Sequence, residues 1–163
     1  MTAQYFIDKF EMLPHPEGGF YKEVYRSEGT IPKEVLGEEF SGDRNYATGI
    51  YYLLKSENFS AFHKINQDET WHYYAGSPVI VHTIDKEGNY SQQEVGLEGD
   101  GIPQYVVPAG VWFAATVKNK EDFSFVGCTV APGFDFDDFQ LAEREKLISE
   151  YPKLNQIITK LTR

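Results

Sequence analysis

The chain of 163 residues contains a single cysteine, Cys128, so an internal disulfide is excluded. It also lacks an apolar run long enough to cross a bilayer. Its first residues, MTAQYFIDKF, lack the basic segment and long apolar core of a secretory signal. Because no other address is visible in the sequence, we expect a cytoplasmic protein.

Basic residues are scarce as well. Fifteen Lys and Arg stand against 25 Asp and Glu, which gives a formal net charge of -10. Nucleic-acid binders need a basic face to meet phosphates, and anionic membranes also attract basic segments. The charge balance argues against both partners and leaves a small-molecule ligand. An anionic ligand stays open, because local residues such as Arg26 and Arg44 act strongly at short range.

Aromatic residues, by contrast, are abundant. Twelve Phe and eleven Tyr favour β structure, where rings pack on pleated surfaces. Over residues 20–131, short aromatic and β-branched segments alternate with turn-like segments such as SGDR, GSP and DKEGN. Many short strands at roughly ten-residue spacing predict a sandwich or barrel. We expect this barrel to lie within a single domain that covers residues 1–163.

Both ends of the chain favour helices. Thr2 is a suitable N-cap for a short helix within residues 2–12. After the last predicted strand, apolar residues at helical spacing predict a C-terminal helical segment over about residues 136–162. Asp137 or Asp138 is the predicted cap of this segment.

The segment AFHKINQDETWHYYAG, residues 61–76, holds two histidines, an Asp–Glu pair, a tryptophan and two tyrosines. Strand alternation places Glu69 and Trp71 on one face and His72 on the other. The polar turn KINQD predicts that two strands pair there, which would make His63 and Glu69 cross-strand neighbours. His63 and Glu69 are therefore the leading candidates for a functional pair.

The same segment resembles the first motif of the cupin superfamily, which reads G, five residues, HxH, three or four residues, E, six residues, G. His63 takes the first His place, Ile65 the second, Glu69 the Glu place and Gly76 the last Gly place. The second cupin motif contains PxG followed by a His, and here PAGVWF puts Phe113 where that His would stand.

Four longer signatures extend the resemblance to a cupin-like family without a settled reaction. They are HPEGGFYKEVYRS, SAFHKINQDETWHYYAG, VPAGVWFAA and VGCTVAPGFDFDDFQLAER. The resemblance implies an all-β fold, a cupin-type double-stranded β-helix or jelly-roll barrel with a short N-terminal helix and C-terminal helices. It also implies dimers, and an exposed edge strand such as FYKEVYR favours a homodimer.

Metal-binding cupins typically use His, His, Glu and His as ligands. At the matching positions this chain keeps only His63 and Glu69, because Ile65 and Phe113 cannot bind a metal. Catalytic zinc sites usually have three protein ligands. The resemblance therefore favours a site without a metal or other cofactor. A metal-dependent cupin enzyme with His63 and Glu69 as ligands is an alternative.

Some metal-free cupins, sugar-nucleotide epimerases among them, use a histidine base, a carboxylate that orients it and a tyrosine acid. The resemblance implies His63 as the base, with Glu69 or Asp68 orienting it. The candidate acids are Tyr51, Tyr52, Tyr73 and Tyr74, of which Tyr74 is assigned to catalysis. We therefore expect isomerase- or epimerase-like chemistry on a small polar metabolite, such as a sugar or sugar nucleotide.

Other residues suit ligand binding. Trp71 and Trp112 offer flat faces to a sugar or nucleobase. Arg26 and Arg44 can bind a carboxylate or phosphate in a bidentate manner. His72, His82 and Tyr52 complete the candidate set. A non-catalytic binding or sensing module with the same cavity is the second alternative to an enzyme.

Overall fold

The computed structural model describes residues 1–120 and 122–163. Thirteen strands are described there. They are β1 (Leu13–Pro14), β2 (Phe20–Arg26), β3 (Thr30–Ile31), β4 (Arg44–Asn45), β5 (Thr48–Lys55), β6 (Phe59–Lys64), β7 (Asp68–Gly76), β8 (Val79–Ile84), β9 (Tyr90–Val95), β10 (Gln104–Val107), β11 (Trp112–Val117), β12 (Phe123–Ala131) and β13 (Gln140–Leu141). The α-helices are α1 (Ala3–Lys9), α2 (Arg144–Glu150) and α3 (Asn155–Lys160).

Two antiparallel sheets form the body of the molecule. The six-stranded sheet has the order β1-β2-β5-β12-β7-β10, and the five-stranded sheet has the order β13-β6-β11-β8-β9. From β5 to β8 the chain changes sheet at every connection, which is how a jelly roll closes around its core. The predicted all-β fold is confirmed.

One predicted pairing is wrong. β6 pairs with β11 and β13, whereas β7 pairs with β12 and β10, so His63 and Glu69 are not cross-strand neighbours. The turn between them carries the chain from one sheet to the other. Each sheet buries its apolar face by packing on the opposite sheet, and the crossing at this turn puts β6 and β7 in different sheets. The two side chains instead line one interior cavity from opposite sheets.

The inward faces of both sheets build the main core. Trp71 of β7, Val81 of β8, Phe113 of β11 and Val126 of β12 are each at most 1% exposed. Burial of such a side chain stabilises the fold by about 1.5–3 kcal/mol. The outer face of the five-stranded sheet forms a second core beneath α2 and α3, in which Phe62 of β6 takes part.

The helices lie close to their predicted places, with one change at the C-terminal segment. Thr2 caps α1, because its hydroxyl accepts the N–H of Tyr5 at 3.2 Å. Neither predicted aspartate caps α2, whose N-cap is Glu143. Asp138 is instead buried against Arg44 through hydrogen bonds of 2.7 Å, so its carboxylate is already used. No helix in the described ranges is long and apolar enough to cross a membrane.

Candidate functional site

A cavity of about 330 Å³ lies between the two sheets. Its size falls at the lower end of the range for small-molecule sites, about 300–1,000 Å³. The titratable side chains of its lining are His15, Glu17, Tyr21, Glu23, Arg26, Tyr52, His63, Glu69, Cys128 and Asp135. A cavity that is polar and partly enclosed is suited to a small polar ligand.

Both ring nitrogens of His63 are occupied. Nδ1 lies 2.7 Å from the carbonyl oxygen of Ala61, and Nε2 lies 2.8 Å from Oε2 of Glu17. Because a carbonyl oxygen can only accept, Nδ1 must carry a proton. The contact with Glu17 then holds one further proton between the two side chains. These side chains are only 3% and 7% exposed, so the pair is shielded from water.

Glu17 reaches His63 because the segment PHPEGG runs against β6. The N–H of Ala61 donates to the carbonyl oxygen of Glu17 at 2.9 Å. A side chain at Gly18 would meet the carbonyl oxygen of Phe59, and the φ of 117° at Gly18 favours glycine. The glycine therefore permits the close approach that places the Glu17 carboxylate beside His63.

In the His63–Glu17 pair, the attraction between the two side chains outweighs the effect of burial on both pKa values. Burial by itself lowers the pKa of His63, but the charge of Glu17 and the hydrogen bond to it leave that pKa raised. Burial likewise raises the pKa of Glu17, but His63, His15 and the hydroxyl of Ser60 leave it lowered. The imidazolium–carboxylate form is therefore the stable form of the pair.

The pKa of Glu69, on β7, is raised, whereas that of Glu17 is lowered. Burial raises the pKa of Glu69 to about 7, an effect that His63 partly offsets and Glu17 reinforces. The N–H of Trp71 and the thiol of Cys128 favour its ionised form. The Trp71 N–H nevertheless has no hydrogen-bond partner within the described part of the chain. Glu69 can therefore exist as acid or carboxylate near neutral pH, whereas Glu17 stays ionised.

His15 adds a neutral imidazole to the lining. Its Nδ1 accepts the backbone N–H of Glu17 at 3.3 Å, so the ring proton lies on Nε2. Burial lowers the pKa of His15, and the positive charge of His63 adds to this effect, although Glu17 opposes it. The ring is therefore a neutral hydrogen-bond donor.

Two other polar groups of the lining are held in their protonated forms. The hydroxyl of Tyr52 donates to the carbonyl oxygen of Gly18 at 2.7 Å, and burial raises its pKa well above the ordinary value. Burial and the nearby charge of Glu69 likewise raise the pKa of the Cys128 thiol. Neither group is a ready source of a proton or a nucleophile.

The lip, residues 133–139, closes one side of the cavity. Phe134, Phe136 and Phe139 of this segment belong to the lining. The lip is tied down from several elements: Arg26 donates to the carbonyl oxygen of Phe134 at 3.1 Å, and Arg44 donates twice to Asp138 at 2.7 Å. This segment is therefore held in place over the cavity by an ion pair and hydrogen bonds.

Four of the residues predicted from the sequence meet at this cavity: His63, Glu69, Arg26 and Tyr52. Trp71 lies in the core on the same face of β7 as Glu69. Arg26 holds both oxygens of Glu23, at 2.9 and 2.7 Å, so its guanidinium is already paired.

Three predicted residues at or near β7 do not line the cavity as the structure describes it. His72 and Tyr74 point to the outer face, where His72 Nε2 lies 2.8 Å from the hydroxyl of Thr129 and Tyr74 is 49% exposed. Asp68 is exposed and accepts the N–H of Ala109 at 2.8 Å. Strand alternation and the sheet crossing place all three away from His63.

Three further candidates also lie elsewhere. Trp112 packs in the second core, with the ammonium of Lys64 4.6 Å from its ring. His82 contacts the hydroxyls of Tyr90 and Thr116 at 2.7 and 2.9 Å, and burial lowers its pKa to about 4. Arg44 is buried in its pair with Asp138 and is closed to a ligand.

Sequence reasoning missed Glu17 and the lip. The signal for Glu17 is a titratable residue between two prolines and two glycines in PHPEGG, a composition that fits a loop held tightly against another element. The lip overlaps the start of the C-terminal helical segment that the sequence predicts over about residues 136–162, with Asp137 or Asp138 as its cap.

The residues present do not fit a metal at the position used by metal-binding cupins. Phe113 fills one ligand place, with its ring 4.0 Å from the His63 ring, and Ile65 fills another. Both nitrogens of His63 are hydrogen-bonded. Within residues 1–120 and 122–163, no group of three or more His, Cys, Asp and Glu side chains could hold a metal ion.

An antiparallel jelly roll with a polar cavity between its sheets defines a cupin-class protein. The chain belongs to the family described as Cupin superfamily (DUF985), whose family model matches residues 4–142. The resemblance to a cupin-like family and the cupin fold are thereby confirmed.

Relatives cover most or all of the chain. The Saccharomyces cerevisiae protein described as Uncharacterized protein YML079W is 32% identical in an alignment 158 residues long, which covers 88% of this chain and 77% of the yeast protein. The crystal structure of protein SO0799 from Shewanella oneidensis has a TM-score of 0.90 at 36% identity, over 100% of this chain and 98% of that one. Oxalate decarboxylase from Bacillus subtilis, at 13% identity and a TM-score of 0.56 over 36% of its length, shares the fold.

Proposed function

We propose that this cupin binds a small polar metabolite in the cavity and moves a proton on it without a metal, in an isomerase- or epimerase-like reaction. The observation that carries the proposal is the pair of carboxyl groups around His63, whose pKa values are shifted in opposite directions. Environments that push apart the pKa values of neighbouring groups are typical of acid–base catalysis.

Glu69 is the proposed proton-transfer group. Its pKa of about 7 lets it both accept and return a proton near neutral pH. His63 is a positioning residue in this proposal, because its two nitrogens are held by Ala61 and Glu17. The role of base that the sequence suggested for His63 thus passes to Glu69. Glu17, in place of Glu69 or Asp68, orients the imidazole.

The proposed step is a proton abstraction next to a carbonyl group. The Glu69 carboxylate takes the proton, the C–H electron pair forms the carbon–carbon double bond of an enolate, and the carbonyl oxygen takes the negative charge. The Glu69 acid then returns the proton to the same carbon, and the carbonyl group forms again. Where that carbon carries a hydroxyl group, the proton can instead go to the former carbonyl carbon, while the hydroxyl proton moves to the enolate oxygen and a new carbonyl group forms at the first carbon. His15, a neutral donor through Nε2–H, is the proposed hydrogen-bond partner of that oxygen.

Proton NMR in D₂O tests the proposal with dihydroxyacetone, fructose and glucosamine as probes, each of which has a carbonyl form with hydrogen on the neighbouring carbon. We expect deuterium to enter at least one probe with the wild-type protein and exchange to be lost in Glu69→Gln. Asp68→Asn is the matched control, because Asp68 adjoins Glu69 in sequence but is exposed outside the cavity. Exchange that survives in Glu69→Gln would refute this role. A probe that binds without exchanging would favour the binding or sensing module.

We also propose a homodimer formed through β2. The two residues of β1 cover only Phe20 and Tyr21 of β2, so the rest of this strand has an edge without a partner strand within residues 1–120 and 122–163. Val24 and Tyr25 on it are 50% and 55% exposed. Light scattering tests the proposal, and a clean monomer would contradict it. The cytoplasmic location stays a prediction.

A further inference from the structure

The two cationic side chains of the cavity lining already have partners. Arg26 holds Glu23 through two contacts of 2.9 and 2.7 Å, and His63 lies 2.8 Å from Glu17. Arg26 also donates to the side-chain oxygen of Asn45 and to a backbone carbonyl oxygen. An incoming anion would therefore meet only cations that are bound to carboxylates of the same lining.

Two acids of the lining are left without an ion pair in the described part of the chain: Glu69 and Asp135. Asp135 accepts the backbone N–H of Asp137 at 2.9 Å, a contact that leaves its charge in place. Its charge raises the pKa of Arg26 and of Arg44, but each of these arginines is bonded to another carboxylate. The lining therefore carries an excess of negative charge.

The lip adds aromatic surface beside Asp135. Phe134, Phe136 and Phe139 pack edge to face, with centroids 5.0 to 6.4 Å apart and interplanar angles of 72° to 81°. The ring of His15 lies 6.4 and 6.3 Å from Phe136 and Phe139. Aromatic faces carry the negative part of the ring quadrupole and attract cations.

We propose that the cavity selects a small organic cation, an amine-bearing polar metabolite whose ammonium group lies beside Asp135 and the phenylalanines of the lip. This inference rests on the proposed function, since it names the ligand class of the same cavity. It replaces the expected sugar nucleotide, because a diphosphate would find no unpaired cation in the described lining and would lie close to two acids. The net charge of -10 favours the approach of a cation from solution.

Calorimetric titration with probes of matched shape tests the charge preference. The probes are benzylammonium, benzyl alcohol and benzoate, which share a ring and differ in charge, together with tetramethylammonium and inorganic phosphate. For the wild-type protein we expect benzylammonium to bind about tenfold more tightly than benzyl alcohol, and benzoate more weakly than either. The preference for benzylammonium should decrease with added salt.

Two variants test whether the carboxylate of Asp135 causes the preference for a cation. Asp135→Asn keeps a side chain that can still accept the N–H of Asp137, and it should reduce the preference for benzylammonium over benzyl alcohol about fivefold. Asp137→Asn is the control, because Asp137 belongs to the same turn but not to the lining, and it should change the preference less than twofold. Matching melting temperatures would show that both variants fold.

Several results would overturn the inference. These are tighter binding of benzoate or phosphate than of benzylammonium, no binding of either cation, or an unchanged preference in Asp135→Asn. Calorimetry measures the charge preference from binding alone, whereas deuterium exchange measures proton transfer. If no probe exchanges deuterium but the preference for benzylammonium is observed, only the catalytic proposal is contradicted. If exchange is observed without a preference for benzylammonium, only this inference is contradicted.

Discussion

Two buried ion pairs support the same cavity, and they differ in what they can do. In the Arg44–Asp138 pair, both side chains are at most 4% exposed and two contacts of 2.7 Å join a planar guanidinium to a carboxylate. Gln67 donates a third hydrogen bond to Asp138 at 2.7 Å. An arginine keeps its charge at any pH at which proteins fold, so this pair serves only to hold the lip.

The His63–Glu17 pair is equally buried, but its cation can lose a proton within the ordinary pH range. It also lies against the cavity and acts on the pKa of Glu69. The permanent charge of Arg44 therefore fixes the position of the lip, whereas the titratable charge of His63 affects the proton affinity of Glu69. Substitutions in the two pairs should separate these roles.

The largest effect is expected for Arg44→Ala. Removal of the guanidinium leaves Asp138 buried without a counter-charge, which destabilises proteins by about 3–5 kcal/mol. Urea unfolding measures the loss. The control is Lys146→Ala, which removes a helix-surface pair with Glu143 whose side chains are 75% and 67% exposed and should cost about 0.5 kcal/mol or less. Equal costs for the two variants would contradict the assigned role of Arg44.

Glu17→Gln should have the next largest effect, about 2 kcal/mol, because it removes the counter-charge of a buried imidazolium. The pKa of His63 is raised in the folded state, so its contribution is present below 6.5 and lost as pH rises through the folded pKa. The pKa of Glu17 is lowered, so its contribution is present above 4.5 and lost as pH falls. The cost should therefore be greatest between pH 4.5 and 6.5.

NMR titration of the His63 ring protons gives a second measurement for Glu17→Gln. The pKa of His63 should fall in the variant, because burial is then no longer opposed by the carboxylate. The His72 ring, on the outer face, serves as the internal control within the same sample. An unchanged His63 titration would show that Glu17 does not set the charge of the imidazole.

Glu69→Gln should remove a loss of stability that the wild-type protein shows as pH rises. The folded protein binds the Glu69 proton more tightly than the unfolded chain, with a pKa of about 7 against 4.5, so wild-type stability falls as pH rises between these values. Relative to wild type, the variant should gain on the order of 2 kcal/mol between pH 4 and pH 8. Urea unfolding at both pH values checks this, and Asp68→Asn should show no such gain.

The smallest effect is expected for His72→Ala. His72 contacts Thr129 on the outer face of β7, so its removal should change stability by about 0.5 kcal/mol or less. Deuterium exchange and benzylammonium binding should match those of the wild-type protein. A large loss of either would mean that the outer face of β7 takes part in function.

Local patterns in the sequence predicted a substantial part of the molecule. Short aromatic and β-branched segments predicted the β fold, and alternation predicted that His72 lies on the opposite face from Glu69, as it does. Such features depend on neighbours one or two residues away. The pairing of His63 with Glu69 was wrong because the chain crosses between sheets at that turn, and the separation of sheets is a long-range property.

The sequence by itself determined the fold class, the cupin resemblance and the loss of two metal-ligand positions at Ile65 and Phe113, because these follow from residue type and spacing. Only the tertiary structure decided that Glu17 holds His63, that Arg44 and Trp112 lie outside the cavity, and that the lip lines it. The physical reason is that proton affinity depends on burial and on nearby charges. Both are set by segments far apart in the chain that meet only when the two sheets pack together.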